Sequence, residues 1–421
     1  MTPAEAAPPV DWPGRADEAA RSVTALFGRR LFFLPGTHLG AIQWPVPGWR
    51  EGVRARLLQP WHYWWQAHYV DCLVDAGRRE LGNGAAPAVR FNGPKYPSAG
   101  RLASRLVTGI RLRNGLTFVN DYYDDMAWLA LATLRLDALA EDARRPGRRR
   151  NAAVRESLTL QFDAACTKDL GGGCFWSKKR DFKNTPATAP VALFYARTGQ
   201  QSKARALLDW LHTTLFDPEQ GIYLDGARLG QDGSVVIERA VYTYNQGPVL
   251  GALLEVGGDA NLARAAALVE AVDRHLTVPA GRGNDDRTRG GAPGSRQMVL
   301  RCDGTGDGGL FTGILCRYLA LAAAEPRLPL QARTTAARLV TSTAEAFWNG
   351  RRSATSGNGR SLDRGDQPAT SIFPVDAAHP ADAPPPAGAV VELSTQLQAW
   401  MAIEAATCIA SLDYGTQQLL N

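Results

Sequence analysis

Lysine is scarce in this chain. Six lysines stand against 41 arginines in 421 residues. The 47 basic and 41 acidic residues leave a formal charge of +6, spread along the chain with no block of five consecutive Lys or Arg. A dedicated nucleic-acid protein concentrates such an excess on one patch, so no nucleic-acid partner is expected. The densest group, Arg144, Arg145, Arg148, Arg149 and Arg150, surrounds Pro146–Gly147 and reads as a solvated loop between helices.

Long hydrophobic runs are also missing. No segment reaches the roughly 18 apolar residues of a membrane span. The first residues, MTPAEAAPPVDWPGRADEAARS, have neither a basic n-region nor an apolar core, so they do not read as a secretory signal. As written, the chain points to the cytoplasm, or to the periplasm or exterior if a signal has been removed. The six cysteines are scattered and form no CxxC pair. That removes the usual spacing for zinc and for thioredoxin-like chemistry. Several lie inside apolar runs, such as Cys72 in YVDCLVDA, and read as buried reduced thiols. No metal and no cofactor are expected.

Strand-like alternation is rare; a short hairpin around Asp232–Gly233 is the exception. Helical periodicity dominates instead. WHYWWQAHYVDCLVDAGRRE (61–80) places apolar residues near the i, i+3, i+4 pattern. DDMAWLALATLRLDALAEDA (124–143) opens with carboxylates and is free of Gly and Pro. ARTG (196–199) and EVGGD (255–259) each end one helix in glycine just before another begins. The rhythm is that of helical hairpins, ten to twelve helices in all. It predicts an all-α ring of helix pairs: a tail over 1–14, one domain over 15–421, and a long loop insertion at about 349–390. A second long loop covers 279–296.

Four helix-opening segments carry polar and aromatic residues. VNDYYDDMAWLALA (119–132) holds adjacent Asp124 and Asp125 beside Tyr122, Tyr123 and Trp128. One carboxylate suffices to cap a helix; two, next to aromatic rings, suit a sugar site. Glycoside hydrolysis needs two carboxyls flanking one bond, about 5 Å apart when configuration is retained. GGGCFWSKKRDFKNTPATAP (171–190) offers a glycine turn, Trp176 and the polar pair Lys183–Asn184, without the GK[ST] of a phosphate loop. YTYNQGPVLGALL (242–254) places Tyr244, Asn245 and Gln246 at a helix start. CDGTGDGGLFTGILCRYLALA (302–322) does the same for Asp307 and Phe311. In each, the polar groups either cap the helix or bind hydroxyls. In a ring of hairpins these loops gather at one end, around a central cleft.

The segments YYDDMAW, GGGCFW with KNTPATAPVALFYARTG, GIYLDG, YTYNQGPVLGALLE, GDGGLFTGILCRYLAL and WHYWWQAHYVDCLVDA resemble glycoside hydrolase family 76, the endo-α-1,6-mannanases, in its bacterial, actinobacterial members. The likeness runs from about residue 15 to 412. It implies an (α/α)6 barrel, retaining hydrolysis of an α-1,6-mannan backbone and no metal. Asp124 would be the nucleophile and Asp125 the general acid/base. Tyr123, Trp176 and Tyr244 would stack on or orient mannose rings. Asn184, Asp225, Asn245 and Gln246 would bind hydroxyls, with Trp65, His68, Trp128, Asp307 and Phe311 completing the substrate site. Read from the residues alone, His68 is a core histidine sooner than a sugar contact, and Trp61 is core. The chain departs from the family where Phe311–Thr312–Gly313 stands for Phe-Lys-Gly, and in the 349–390 loop. The expected partner is α-1,6-mannan or a mannooligosaccharide, bound by a monomer. A transglycosidase and a mannan-binding protein with lost activity are the alternatives.

Overall fold

The helices fall into two kinds by how their apolar residues are spread. Some bury one stripe. In Ala99–Arg113, Leu102, Leu106, Val107 and Ile110 are buried while Arg101 and Arg111 face out. Others are buried all round: every residue from Thr185 to Ala196 is inside. A helix apolar on all faces needs neighbours on all sides, so the second kind forms an inner ring and the first kind wraps it.

The computed structural model describes residues 9–45, 61–144, 149–281, 297–354, 370–381 and 390–419. Among these, the outer helices are α1 (Trp12–Phe27), α3 (Ala99–Arg113), α5 (Arg149–Ala165), α7 (Gln201–Trp210), α9 (Asp259–His275) and α11 (Leu330–Asn349). The inner helices are α2 (Tyr63–Gly82), α4 (Tyr123–Asp142), α6 (Thr185–Arg197), α8 (Thr243–Val256), α10 (Phe311–Ala324) and α12 (Leu393–Leu419). Each inner helix packs on the next, and α12 packs back on α2. Outer α1 fills the last groove, against α12 and α2. The fold is therefore the all-α toroid of six helix pairs, the expected (α/α)6 arrangement. Helix α1 opens at Trp12, inside the segment expected as a tail.

Loops leading into inner helices are long, and those leaving them are mostly short. The long loops carry the few strands. The expected hairpin is present: β2 (Gly226–Leu229) pairs antiparallel with β3 (Val235–Glu238), and β1 (Lys183–Asn184) adds to the other edge of β2. Thr277–Pro279 pairs with Met298–Leu300, and Arg352–Ser353 with Ser371–Ile372. The remainder of the two long loops, 282–296, 355–369 and 382–389, lies outside the described residues. So do 145–148 of the arginine-rich segment.

Two polar devices hold the ring. At the start of α2, α8 and α12 a buried glutamine grips one residue of the preceding loop through both its N–H and its C=O. Gln66 holds Gly40, Gln246 holds Tyr223 and Gln396 holds Phe373, all at 2.8–3.1 Å. Lower in the lumen, Arg135 of α4 pairs with Asp71 at 2.7 Å and with Asp75. Arg317 of α10 reaches the same two carboxylates at 3.3 and 3.2 Å. These four charges tie three inner helices together across the barrel.

The cysteine expectation needs one correction. Cys72 and Cys316 are buried free thiols, but Cys166 and Cys174 form a disulfide. The pairing of the backbone at these two residues brings them side by side, which eight-residue spacing alone does not reveal.

Candidate active site

The inner helices point their N-termini toward the end that carries the long loops. That end gathers partial positive charge from unpaired N–H groups, which favours carboxylates. Asp124 and Asp125 occupy the first turn of α4. Asp124 accepts from the Asp125 backbone N–H at 2.9 Å through Oδ1 and from the Trp176 indole at 3.0 Å through Oδ2. Asp125 accepts from the Asn120 side-chain amide at 2.6 Å. Burial raises both carboxyls above the ordinary range. Asp125 is raised further, because the Asp124 charge lies beside it and Asp307 adds to it. Two donors hold the Asp124 charge and one holds that of Asp125, so a shared proton rests on Asp125.

A third carboxylate faces the pair. Asp307, in the turn before α10, accepts from the indoles of Trp64 and Trp65 at 3.0 and 2.9 Å. His62 lies 3.6 Å away and stacks on Trp65. Partial burial acts to raise the Asp307 pKa, but the His62, Trp65 and Trp64 donors outweigh it and hold it below the usual carboxylate value. Asp307 thus stays anionic, and its charge raises the pKa of both Asp124 and Asp125.

The aromatic wall runs across the cleft. Tyr244 and Phe311 stack at 3.8 Å, with Trp64 6.2–6.3 Å from both and Tyr242 beyond them. On the other side Tyr122 and Trp176 lie 4.9 Å apart, both more than a third exposed. Asp225, in the loop before β2, receives the Asn245 amide at 3.3 Å. Burial pushes the Asp225 carboxyl up to about 6, against the Asn245 donor. The Asn245 Oδ1 is buried with no hydrogen-bond partner among the described residues.

Several sequence-level assignments move. Tyr123 is buried, with its backbone N–H bonded to the Trp176 carbonyl; its neighbour Tyr122 is the exposed ring. Trp128 is buried beneath the site, against His68 at 4.8 Å. His68 is itself buried, and burial with Arg317 and Arg135 nearby pushes its pKa well down, so it is neutral. Trp65 is buried and acts on Asp307 rather than facing the cleft. Gln246 spends its amide on the backbone of Tyr223 and Tyr242. The Asn184 oxygen caps α6 through Ala187. Thr312, where the family pattern has lysine, is buried and bonds the Arg301 carbonyl at 2.7 Å.

Asn120, His62, Trp64 and Tyr242 were not singled out from sequence. Asn120 sits five residues before Asp125, where it resembles an ordinary turn residue. Trp64 and Tyr242 belong to motifs already noted, one and two positions from the residues chosen. Among the described residues no group of three His, Cys, Asp or Glu is placed to hold a metal ion, and no helix is long and apolar enough to cross a membrane. A separate cavity of about 430 Å³, lined by residues 278–281 with Arg301, Cys302, Asp376, Ala378 and His379, contains none of the cleft residues.

The family model of glycosyl hydrolase family 76 matches residues 47–370. The chain belongs to glycosyl hydrolase family 76. Solved family 76 structures share its fold. An α-1,6-mannanase from Salegentibacter sp. HEL1_6 superposes with a TM-score of 0.68 at 25% identity, covering 95% of this chain and 100% of that one. An inactive variant of that mannanase, with two consecutive aspartates replaced by asparagine, is solved in complex with α-1,6-mannotriose; it gives 0.67 at 25% identity over 95% and 100%. A family 76 mannosidase from Bacteroides thetaiotaomicron gives 0.69 at 16% identity over 96% and 100%, a likeness of fold alone. No curated protein matches the chain.

Proposed function

We propose that this family 76 protein is a retaining, endo-acting α-1,6-mannanase. The observation that carries the reading is the unequal hydrogen bonding of the two consecutive aspartates. Asp124, whose charged form two donors favour against burial, attacks the anomeric carbon. Asp125, the group that keeps the proton, gives it to the departing glycosidic oxygen as that bond breaks. Water then attacks the mannosyl ester on Asp124 while Asp125 takes the water proton, which restores both groups. Two carboxyls on consecutive residues of one helical turn favour the short separation of retaining enzymes, roughly 5 Å. The double aspartate replacement in the inactive Salegentibacter mannanase, bound to an α-1,6-linked trisaccharide, supports the same pair here.

Asp225 with Asn245, and Asp307, would bind mannose hydroxyls. Tyr122, Trp176, Tyr244 and Phe311 would line the sugar faces. The substrate is α-1,6-mannan or its oligosaccharides. Export to an oxidising compartment fits the Cys166–Cys174 disulfide, because such bonds persist mainly outside the cytosol. The test is digestion of linear α-1,6-mannan by the wild type and by Asp124→Asn and Asp125→Asn. The reading expects internal cleavage to a ladder of oligosaccharides, and a loss of at least about 1,000-fold in Asp124→Asn. Wild-type activity in either variant, or release of mannose alone, would overturn it.

A further inference from the structure

Lys183 is a buried lysine with an unusual set of partners. Its side chain is fully buried. Among the described residues no carboxylate lies in salt-bridge range of its ammonium. Instead, five oxygens converge on Nζ: the carbonyls of Thr167, Asp169, Gly172 and Gly173 at 2.9, 2.7, 2.7 and 3.1 Å, and the Thr167 hydroxyl at 3.0 Å. An ammonium has three N–H bonds, so some of these contacts are shared. The arrangement is the kind of carbonyl cage that would suit a small cation. Burial lowers the Lys183 pKa to about 8, with Asp169 opposing and Arg180 adding to the fall.

All five oxygens belong to one loop, and that loop leads directly to the catalytic pair. Leu170 and Gly171–Gly173 all have positive φ, and the Gly172 and Gly173 carbonyls turn to the ammonium. A side chain at Gly173 would strike the Trp210 ring within 2.6 Å, so the loop is pressed between Trp210 and the Lys183 ammonium. The Trp210 indole donates to the Leu170 carbonyl at 2.8 Å. Three residues beyond Gly173, Trp176 takes the Phe182 carbonyl through its N–H, receives the Tyr123 N–H at its own carbonyl, and donates its indole to Asp124.

We propose that Lys183 is a positioning residue for Asp124: its ammonium acts as a built-in cation that fixes the 166–176 loop, and through Trp176 it holds the catalytic carboxylate in place and in its ionised form. This rests on the assignment of Asp124 as nucleophile. The compact ammonium fits a cage of convergent carbonyls, whereas the planar guanidinium of arginine does not. That explains a lysine here in a chain with 41 arginines and only six lysines. Besides Trp176, the groups that face Asp124 are Asp125 on its own helix, Asp307 before α10 and Tyr244 on α8.

The test follows the Asp124 titration in the substrate-free protein by carboxyl carbon NMR, so it does not depend on turnover. The variants are Lys183→Met, Lys183→Arg, Trp176→Phe and Lys183→Met with Trp176→Phe, with the milder Thr167→Val in case Lys183→Met does not fold. Trp176→Phe should raise the Asp124 pKa by about half to one unit, since a donor to the charged form is lost. Lys183→Met should raise it in the same direction, Lys183→Arg should not restore it, and Thr167→Val should give a smaller rise. The double variant should shift no further than Trp176→Phe alone, the mark of two groups acting through one contact. An unchanged Asp124 titration in folded Lys183→Met, or in folded Thr167→Val if Lys183→Met does not fold, would overturn the proposal. So would a double variant whose shift is the sum of the singles. A wild type that fails to cleave α-1,6-mannan would tell against the function and leave this titration readable.

Discussion

Asn120 donates its side-chain amide to Asp125 at 2.6 Å while its own oxygen takes the Tyr122 backbone N–H at 3.2 Å. The second bond fixes which way the amide faces, so Asn120 can only donate to the acid. That donation lowers the Asp125 pKa from the high value that burial and Asp124 impose. Replacing Asn120 by alanine should therefore raise it further. The alkaline limb of kcat/KM, set by loss of the Asp125 proton, should move to higher pH. The maximal rate should fall about 10- to 100-fold, because the acid is less firmly oriented. A pH–rate series on a mannooligosaccharide reads both effects; an alkaline limb moving down would contradict the assignment.

Asp307 acts on both Asp124 and Asp125 through its charge. The sign is the same for each: a nearby anion raises a carboxyl pKa, so removing it lowers both. Asp307→Asn keeps the shape and removes the charge. Its pH–rate bell should move to the acid side on both limbs, by about half to one unit. A profile displaced on one limb only would mean that Asp307 reaches just one of the two.

Gln246 separates stability from recognition. Its amide is used by the Tyr223 and Tyr242 backbone. Gln246→Ala leaves a buried N–H and C=O of Tyr223 without these partners, at a cost of about 1–3 kcal/mol. Urea unfolding should show the loss, while KM for the folded fraction changes less than threefold. A large KM effect at unchanged stability would return Gln246 to the sugar.

The lumen charges should behave as one unit. Arg135→Met leaves Asp71 and Asp75 facing Arg317 alone. The cost expected for removing one partner of such a buried network is about 3–5 kcal/mol. Thermal unfolding of Arg135→Met against wild type checks it.

How much of this was legible in sequence differs by residue. The helical toroid was readable, because inner and outer helices impose different apolar patterns and glycine ends mark the hairpins. Asp124–Asp125 stood out because capping needs one acid, not two. Gln246 and Asn184 could not be sorted from sequence, since an amide at a helix start can serve backbone or hydroxyl equally. The deciding partner of Gln246, Tyr223, lies 23 residues away. Tyr123 was preferred to Tyr122 across a helix start, where one residue turns the side chain by about 100°. Trp65 and Trp128 looked like sugar platforms because composition reveals a ring and not the face it turns. The Lys183 cage depends on four carbonyls, which have no signature in side-chain sequence at all.

The central claim is that Asp124 forms a covalent mannosyl ester before water enters. Proton NMR in the first minutes of α-1,6-mannooligosaccharide hydrolysis, before the anomers equilibrate, tests it most directly. Two displacements at one carbon must give the α-anomer first. First appearance of the β-anomer would show a single displacement by water and contradict the assignment of Asp124 as nucleophile.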